Sequence, residues 1–226
     1  MSADAKTVKL TLDGRSVTVA RGTTIWEAAR ELGIDIPVLC HNPRMAPVGV
    51  CRMCVVDVGE RVLAAACVRQ CEEGMEAQTQ TPEVERHRRM LTVMLLSDYP
   101  QESLRESTTG DDELLALARQ YGIERIPLPD GVETGDARGE DMSSPVIAVD
   151  HQACILCDRC IRACDEIQHN DVIGRTGKGY HARIAFDLNN PMGQSTCVAC
   201  GECMAACPTG ALTDKSVAGI KIVLGE

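Results

Sequence analysis

The sequence predicts an α+β protein made of two small metal-bearing domains joined by a cysteine-free middle. Two observations lead there. The 13 cysteines fall in two blocks, residues 40–71 and 154–207, and the 82 residues between them hold none. The first 96 residues alternate apolar and polar positions, turn helical, then alternate again, which is the plan of a sheet with a helix on one face. With 226 residues and only five aromatics, any core must rest on Val, Ile, Leu, Ala and Met. Domains under about 100 residues with such cores are marginal on burial alone and usually carry disulfides or metals.

Composition limits the function classes. The opening "MSADAKTVKL" turns polar at once, so no secretory leader is expected. No run of 18 apolar residues occurs, so no membrane span is expected. A chain without an export signal stays in the reducing cytoplasm, where dense cysteine argues for metal rather than disulfides. The net charge of −10 argues against nucleic acid as a partner. Most of that charge lies between Asp98 and Asp141, where 12 acids meet 4 arginines.

In residues 1–96, "VKLTLDGRSVTV" reads as a hairpin turning at Asp13-Gly14, a type I′ signal. "RGTTIWEAARELG" reads as a short helix. Thr24 and Glu27 have capping-box spacing, Ile25, Ala28, Ala29 and Leu32 share one face, and Gly33 stops it. "CVVDV" and "RVLAAA" read as strands. "TPEVERHRRMLTVMLLSD" reads as a longer helix, with Thr81 as N-cap and Pro82 in its first turn.

On this scaffold sit Cys40, Cys51, Cys54 and Cys67, spaced C-x10-C-x2-C-x12-C. The plant-type [2Fe–2S] pattern is C-x4-C-x2-C…C, so only the first gap is longer. Gly49 suits a loop that turns backbone N–H groups toward sulfur. The competing reading is a structural zinc site, but four-cysteine zinc sites more often come as two C-x2-C pairs, and this block has one. Cys71 is left over and reads as a partly buried thiol. His41 reads as a loop residue, since a Rieske-type centre needs two histidines on one iron.

The stretch from "VKLTLDG" through "GVCRMCVVDV" and "LAAAC" to "TPEVERHRRMLTVMLLSDYP" resembles the N-terminal domain of a known family. That family comprises the large iron–sulfur subunit of bacterial respiratory complex I, NAD-linked formate dehydrogenases and iron-only hydrogenases. The resemblance covers nearly all of residues 7–100. It implies a β-grasp, ferredoxin-like fold and a [2Fe–2S] cluster on Cys40, Cys51, Cys54 and Cys67.

In residues 146–226, "CILCDRCIRAC" and "CVACGECMAACP" each repeat C-x2-C-x2-C-x3-C, the bacterial two-cluster ferredoxin signature. The fourth cysteine of each run ligates the other cluster. One [4Fe–4S] cluster is therefore expected on Cys154, Cys157, Cys160 and Cys207. The other is expected on Cys164, Cys197, Cys200 and Cys203. Two full copies in one chain make zinc a poor competitor. "DVIGRTGKGYHARIAFDL" reads as a hairpin between them, and His151, His169 and His181 read as surface or hairpin residues. Residues 162–212 look most similar to the double-cluster domain of NAD-linked formate dehydrogenase alpha subunits that carry molybdenum or tungsten. In those a large catalytic domain follows. Here the sequence ends 14 residues after Leu212, so the substrate site is expected on another subunit.

The middle, residues 97–145, reads as a degenerate cluster loop, a short helix in "DDELLALARQYG" and a Pro-, Gly- and acid-rich linker in "IPLPDGVETGDARGEDMSSP". The family typically has H-P-x-x-C-x-x-C-x5-C here, whose histidine and three cysteines hold a further [4Fe–4S] cluster. In register, Tyr99 replaces the histidine, and Ser103, Glu106 and Asp112 replace the cysteines. Phenol, hydroxyl and carboxylate are poor ligands for an iron–sulfur cubane, so this cluster is expected to be absent. A hard cation on the carboxylates is the alternative.

No catalytic nucleophile–base pair, phosphate loop or dinucleotide fingerprint occurs, and "GRTGKG" lacks the Walker spacing. The expected cofactors are one [2Fe–2S] and two [4Fe–4S] clusters. The expected role is an electron-relay subunit between a flavin- and NAD(P)-binding diaphorase subunit and a separate catalytic oxidoreductase subunit, formate dehydrogenase first among these. The alternatives are a free-standing polyferredoxin carrier, the relay subunit of a hydrogenase or other NAD-linked oxidoreductase, or a non-redox structural or sensing module.

Overall fold

A computed structural model describes residues 7–100, 102–124 and 138–216. The chain divides into two compact units. The first is Met1–His41 with Pro47–Leu91, and the second is Asn42–Ala46 with Thr92–Glu226. Most of the linker stretch, 125–137, lies outside the described residues.

The first unit opens with β1 (Thr7–Leu12) and β2 (Arg15–Ala20), an antiparallel hairpin. Asp13 and Gly14 both have positive φ, 47° and 76°, as a type I′ turn requires. The Asp13 carboxylate also accepts the Thr79 N–H (2.7 Å) and hydroxyl (2.6 Å), tying the turn to a distant loop. α1 (Ile25–Glu31) starts at the full capping box between Thr24 and Glu27. It buries Ile25, Ala28 and Ala29 completely, and its Trp26 indole donates to the Ile36 carbonyl (3.2 Å).

β3 (Val55–Val56) and β4 (Ala64–Ala65) form a two-residue ladder, shorter than "CVVDV" and "RVLAAA" suggest. β5 (Glu76–Ala77) pairs parallel to β1, so the sheet order is β2-β1-β5 with α1 packed on the shared core, the expected β-grasp arrangement. Leu10, Leu12 and Ile25 anchor that core; each such side chain, fully buried, contributes about 1.5–3 kcal/mol. α2 (Pro82–Ser97) is capped by the Thr81 hydroxyl, which accepts from the Val84 N–H (3.2 Å). Its buried Arg88 donates to the Val55 carbonyl (2.7 Å).

In the second unit, α3 (Leu104–Thr108) and α4 (Glu113–Gln120) follow α2. The sequence pattern marks α4 and gives no sign of α3. A three-stranded sheet has the order β10-β7-β6, built from β6 (Glu140–Asp141), β7 (Ile147–Asp150) and β10 (Leu212–Asp214). β6 lies within the stretch expected to be linker. Its two acidic residues pair with β7, and the Asp141 carboxylate accepts the Met192 N–H (2.6 Å). β8 (Ile173–Thr176) and β9 (Arg183–Phe186) make the expected hairpin. α5 (Arg159–Arg162) runs into a π turn at Ala163–Ile167, and α6 (Glu202–Ala206) follows the second cysteine run. Met45, Ala163 and Ala206 form a small apolar cluster between these turns. Among the described residues, no helix is long and apolar enough to cross a membrane.

Replacing Thr24 with Ala removes both halves of the α1 capping box. A loss of about 0.5–2 kcal/mol in chemical denaturation of the whole chain is expected, with the clusters' absorption unchanged.

Candidate iron–sulfur sites

The cysteines of the first unit come together on one loop system. The Cys40 N–H donates to the Cys51 sulfur (3.3 Å), and the Cys54 and Cys67 sulfurs are 3.4 Å apart. Hydrogen bonds from Cys51 and then Cys67 hold the Cys40 thiol far below its ordinary range. The bond from Cys67 lowers Cys54 to about 7. Cys51 and Cys67 are pushed up, first by their bonds to Cys40. Four sulfurs thus converge in one place, with Cys40, Cys54 and Cys67 buried. Cys71 stands apart in the apolar core, with its thiol raised to about 11 by burial and then by Glu27 and Glu31. His41 is buried edge-on against the Trp26 ring, with centroids 4.5 Å apart.

The loop that carries this group needs left-handed backbone. Gly49 has φ 64° and Arg52, between the cysteines of C-x2-C, has φ 57°. A Cβ on Gly49 would sit 3.3 Å from Val68 Cγ2.

In the second unit the two cysteine runs adopt matching backbone. Leu156 (φ 54°) and Ala199 (φ 54°) occupy the same place in each run, as do Asp158 (φ 61°) and Gly201 (φ 82°). Left-handed Leu and Ala cost roughly 1–2 kcal/mol each, a strain that clusters at functional sites. What the strain achieves is visible in the donors. The Ala199 N–H donates to Cys197 Sγ (3.4 Å) and the Val172 N–H to Cys164 Sγ (3.4 Å).

Cys154, Cys157, Cys160 and Cys207 line one cavity with Ile155, Leu156, Ile184, Ala211 and Leu212. Burial pushes the Cys154 thiol up to about 11 and also raises Cys157 and Cys160 well above the ordinary range. Burial likewise raises Cys203 to about 12, followed by the charges of Cys197, Cys200 and Cys164. Cys207 is therefore placed among the first run's cysteines and Cys164 among the second's.

Arginines brace the first run. Arg138 donates to the Cys154 carbonyl (2.9 Å) and pairs with Asp98 (2.6 Å). Arg175 donates to the Leu156 carbonyl (2.8 Å) and grips Asp158 through two bonds of 2.7 Å. Arg159 pairs with Glu113 (2.7 Å). Around the second run, Asp187 accepts from Thr196, and Glu202 pairs with Arg44. Cys200 is exposed and Val198 beside it is 65% exposed.

His151 departs from the expectation of a surface residue. It is buried, and desolvation followed by the Arg183 charge lowers it to about 4, so it is neutral at physiological pH. His181 lies in the β8–β9 connection, as expected.

The middle segment also has definite structure. Tyr99, Ser103 and Asp112 converge in a buried polar network: the Tyr99 phenol donates to Asp112 Oδ2 (2.5 Å), as does the Ser103 hydroxyl (2.6 Å). Asp112 Oδ1 caps α4 by accepting from the Leu114 and Leu115 N–H groups (3.1 Å each). Burial and then the Asp112 charge push the Tyr99 phenol above its usual range. Glu106 does not join them; it pairs with Arg119 (2.5 Å).

The cysteine sites fit iron–sulfur clusters by donor chemistry: sulfur in fours, backbone N–H aimed at sulfur, and apolar walls. Among the described residues, no three or more His, Cys, Asp or Glu side chains are arranged to hold a single metal ion. Residues 5–82 match the 2Fe-2S iron-sulfur cluster binding domain, and residues 144–213 match the ferredoxin-like domain of NADH-quinone oxidoreductase subunit 3. Fold and site together define an iron–sulfur protein with one domain of each kind.

More particularly, the chain is similar in sequence to subunits of NADH-quinone and NADH-ubiquinone oxidoreductases and of an NADP-reducing hydrogenase. It is 37% identical to the NADP-reducing hydrogenase subunit HndD of Solidesulfovibrio fructosivorans, over 91% of this chain and 36% of that one. It is 30% identical to the mitochondrial NADH-ubiquinone oxidoreductase 78 kDa subunit of Candida albicans, over 93% of this chain and 29% of that one. The chain thus spans about a third of these relatives. A crystal structure of an NAD+-reducing [NiFe]-hydrogenase in the H2-reduced state contains a chain that superimposes with a TM-score of 0.83. The two are 28% identical, and the match covers 96% of this chain and 90% of that one.

Gly49→Ala sets a Cβ against Val68 on a left-handed residue. A loss of about 1–2 kcal/mol is expected in denaturant unfolding. Val68→Ala in the same background relieves the contact but not the backbone strain, so it restores only part of the loss.

Proposed function

We propose that this chain is an electron-relay subunit. It would carry single electrons between a flavin- and NAD(P)-binding subunit and a separate catalytic oxidoreductase subunit. The observation that carries the reading is the gathering of twelve cysteines into three groups of four, with Cys164 and Cys207 exchanged between the two runs. We assign a [2Fe–2S] cluster to Cys40, Cys51, Cys54 and Cys67. We assign [4Fe–4S] clusters to Cys154, Cys157, Cys160 and Cys207, and to Cys164, Cys197, Cys200 and Cys203.

When bound, such clusters supply one-electron transfer without proton or group chemistry. The protein's part is to hold sulfur, exclude water and set the field. Leu156, Ile184 and Leu212 wall the first cubane site. Arg138, Arg159 and Arg175, each paired with a carboxylate, brace the loop around it; the exposed loop at Val198 and Cys200 is a natural point of exchange. The fourth site is assigned no cluster, because Tyr99, Ser103 and Asp112 satisfy one another. The proposed setting is cytoplasmic.

Two readings of the catalytic partner have support. One relative and the superimposed structure support a hydrogenase, while residues 162–212 resemble formate dehydrogenase alpha subunits and another relative is a putative formate dehydrogenase of Staphylococcus haemolyticus. Anaerobic isolation of the native complex, assayed for NAD(P)-linked oxidation of H2 and of formate, separates them. A chain isolated alone, reducing neither couple, would contradict the subunit reading and favour a diffusing carrier.

Ligand assignment is tested by substitution. Cys67→Ser is expected to abolish the [2Fe–2S] signal in EPR of the reduced protein, whereas Cys71→Ala leaves it intact. Arg175→Gln is expected to lower the midpoint potential of one cubane only, read in an EPR-monitored redox titration. An equal shift of both would contradict the placing of Arg175 at the first run alone.

A further inference from the structure

The loop that resembles a cluster-binding segment is packed against the turn Cys207–Gly210. The Gly210 N–H donates to the Tyr99 phenol oxygen (3.1 Å). That oxygen can accept because its own proton goes to Asp112. Arg105, held by Asp111 through two 2.9 Å bonds, donates to the Cys207 carbonyl (2.7 Å) and the Met204 carbonyl (3.3 Å). The Glu113 N–H, next to the Asp112 cap, donates to the Pro208 carbonyl (2.8 Å).

The approach is as close as glycine allows. A Cβ on Gly210 would lie 2.6 Å from Ser103 Oγ and 3.3 Å from the Leu104 nitrogen. Three successive parts of the turn, at Cys207, Pro208 and Gly210, are thus held by residues 99–113. Tyr99, Ser103 and Asp112 are all nine-tenths buried or more, so water does not compete for these bonds.

We propose that Tyr99, Ser103 and Asp112 are positioning residues for Cys207: the former cluster loop has become a polar clamp that sets the geometry of a ligand to the neighbouring cubane. This rests on the reading that Cys207 ligates the cubane of the first cysteine run. The orientation of a cysteine arm and the hydrogen bonds around it are among the levers that set a cluster's potential. The clamp therefore acts on one cubane and leaves the other and the [2Fe–2S] site alone.

The test uses the whole chain, isolated anaerobically, with EPR-monitored redox titration. Tyr99→Phe keeps the ring and removes the acceptor of the Gly210 N–H. Asp112→Asn keeps the shape and the N-cap acceptor. Each is expected to move the midpoint potential and line shape of one cubane, with the iron content and the other two signals as in the wild type. Gly210→Ala is expected to shift the same cubane by driving the turn off Ser103 Oγ, and adding Ser103→Ala to bring it back toward wild type. Variants that lose thermal stability but keep both cubane potentials and line shapes would overturn the proposal. Should Tyr99→Phe not accumulate, the Gly210→Ala and Ser103→Ala pair decides, absence of rescue counting against it. Wild-type protein without cubane signals would instead sink the underlying cluster reading.

Discussion

Everything in this structure depends on gathering sulfur where water is scarce. A buried thiolate without compensating charge is costly, and four together repel one another as well. The thiols of Cys154, Cys157, Cys160 and Cys203 all titrate above the ordinary range when only protein surrounds them. Iron answers the charge, and backbone N–H groups answer the lone pairs. To aim those groups the chain accepts left-handed residues at Leu156, Asp158, Ala199 and Gly201, with the same pattern in both runs. The arginines that grip the carbonyls of Cys154 and Leu156 then keep the first of these loops from relaxing.

The two runs are alike in backbone and unlike in surroundings. The first is buried and edged by Arg138, Arg159 and Arg175. The second opens to solvent at Cys200. The loop at 99–112 adds a further layer. Where the family pattern has four ligands, three of the replacing residues here bind one another and the turn that bears Cys207. The buried polar side chains of Tyr99, Ser103 and Asp112 thus have polar partners, as burial demands.

Much of this was legible because the governing signals are local. Cysteine spacing marked the three groups, Asp13-Gly14 marked the hairpin, and Thr24 with Glu27 marked the start of α1. Register with the family pattern singled out Tyr99, Ser103, Glu106 and Asp112 as a set. What it could not show is where they point. Three of the four converge, while Glu106, on the same short helix as Arg105, turns to Arg119. The network is made of side-chain bonds across 9 to 111 positions of sequence, and no local pattern encodes them. The strand at Glu140–Asp141 was hidden for a similar reason: two acids look like linker until their backbone finds β7. The burial of His151, and the charges of Arg183 and Arg138 that act on it, come from residues distant in sequence or from the folded whole, which no local pattern marks.

The central claim is that the chain holds three clusters, of two kinds, and none at the loop around Tyr99. Native mass spectrometry of the anaerobically isolated chain tests it most directly. The account predicts a mass increment for one [2Fe–2S] and two [4Fe–4S] clusters, about ten irons in all. An additional [4Fe–4S] increment, or zinc in place of iron, would contradict it.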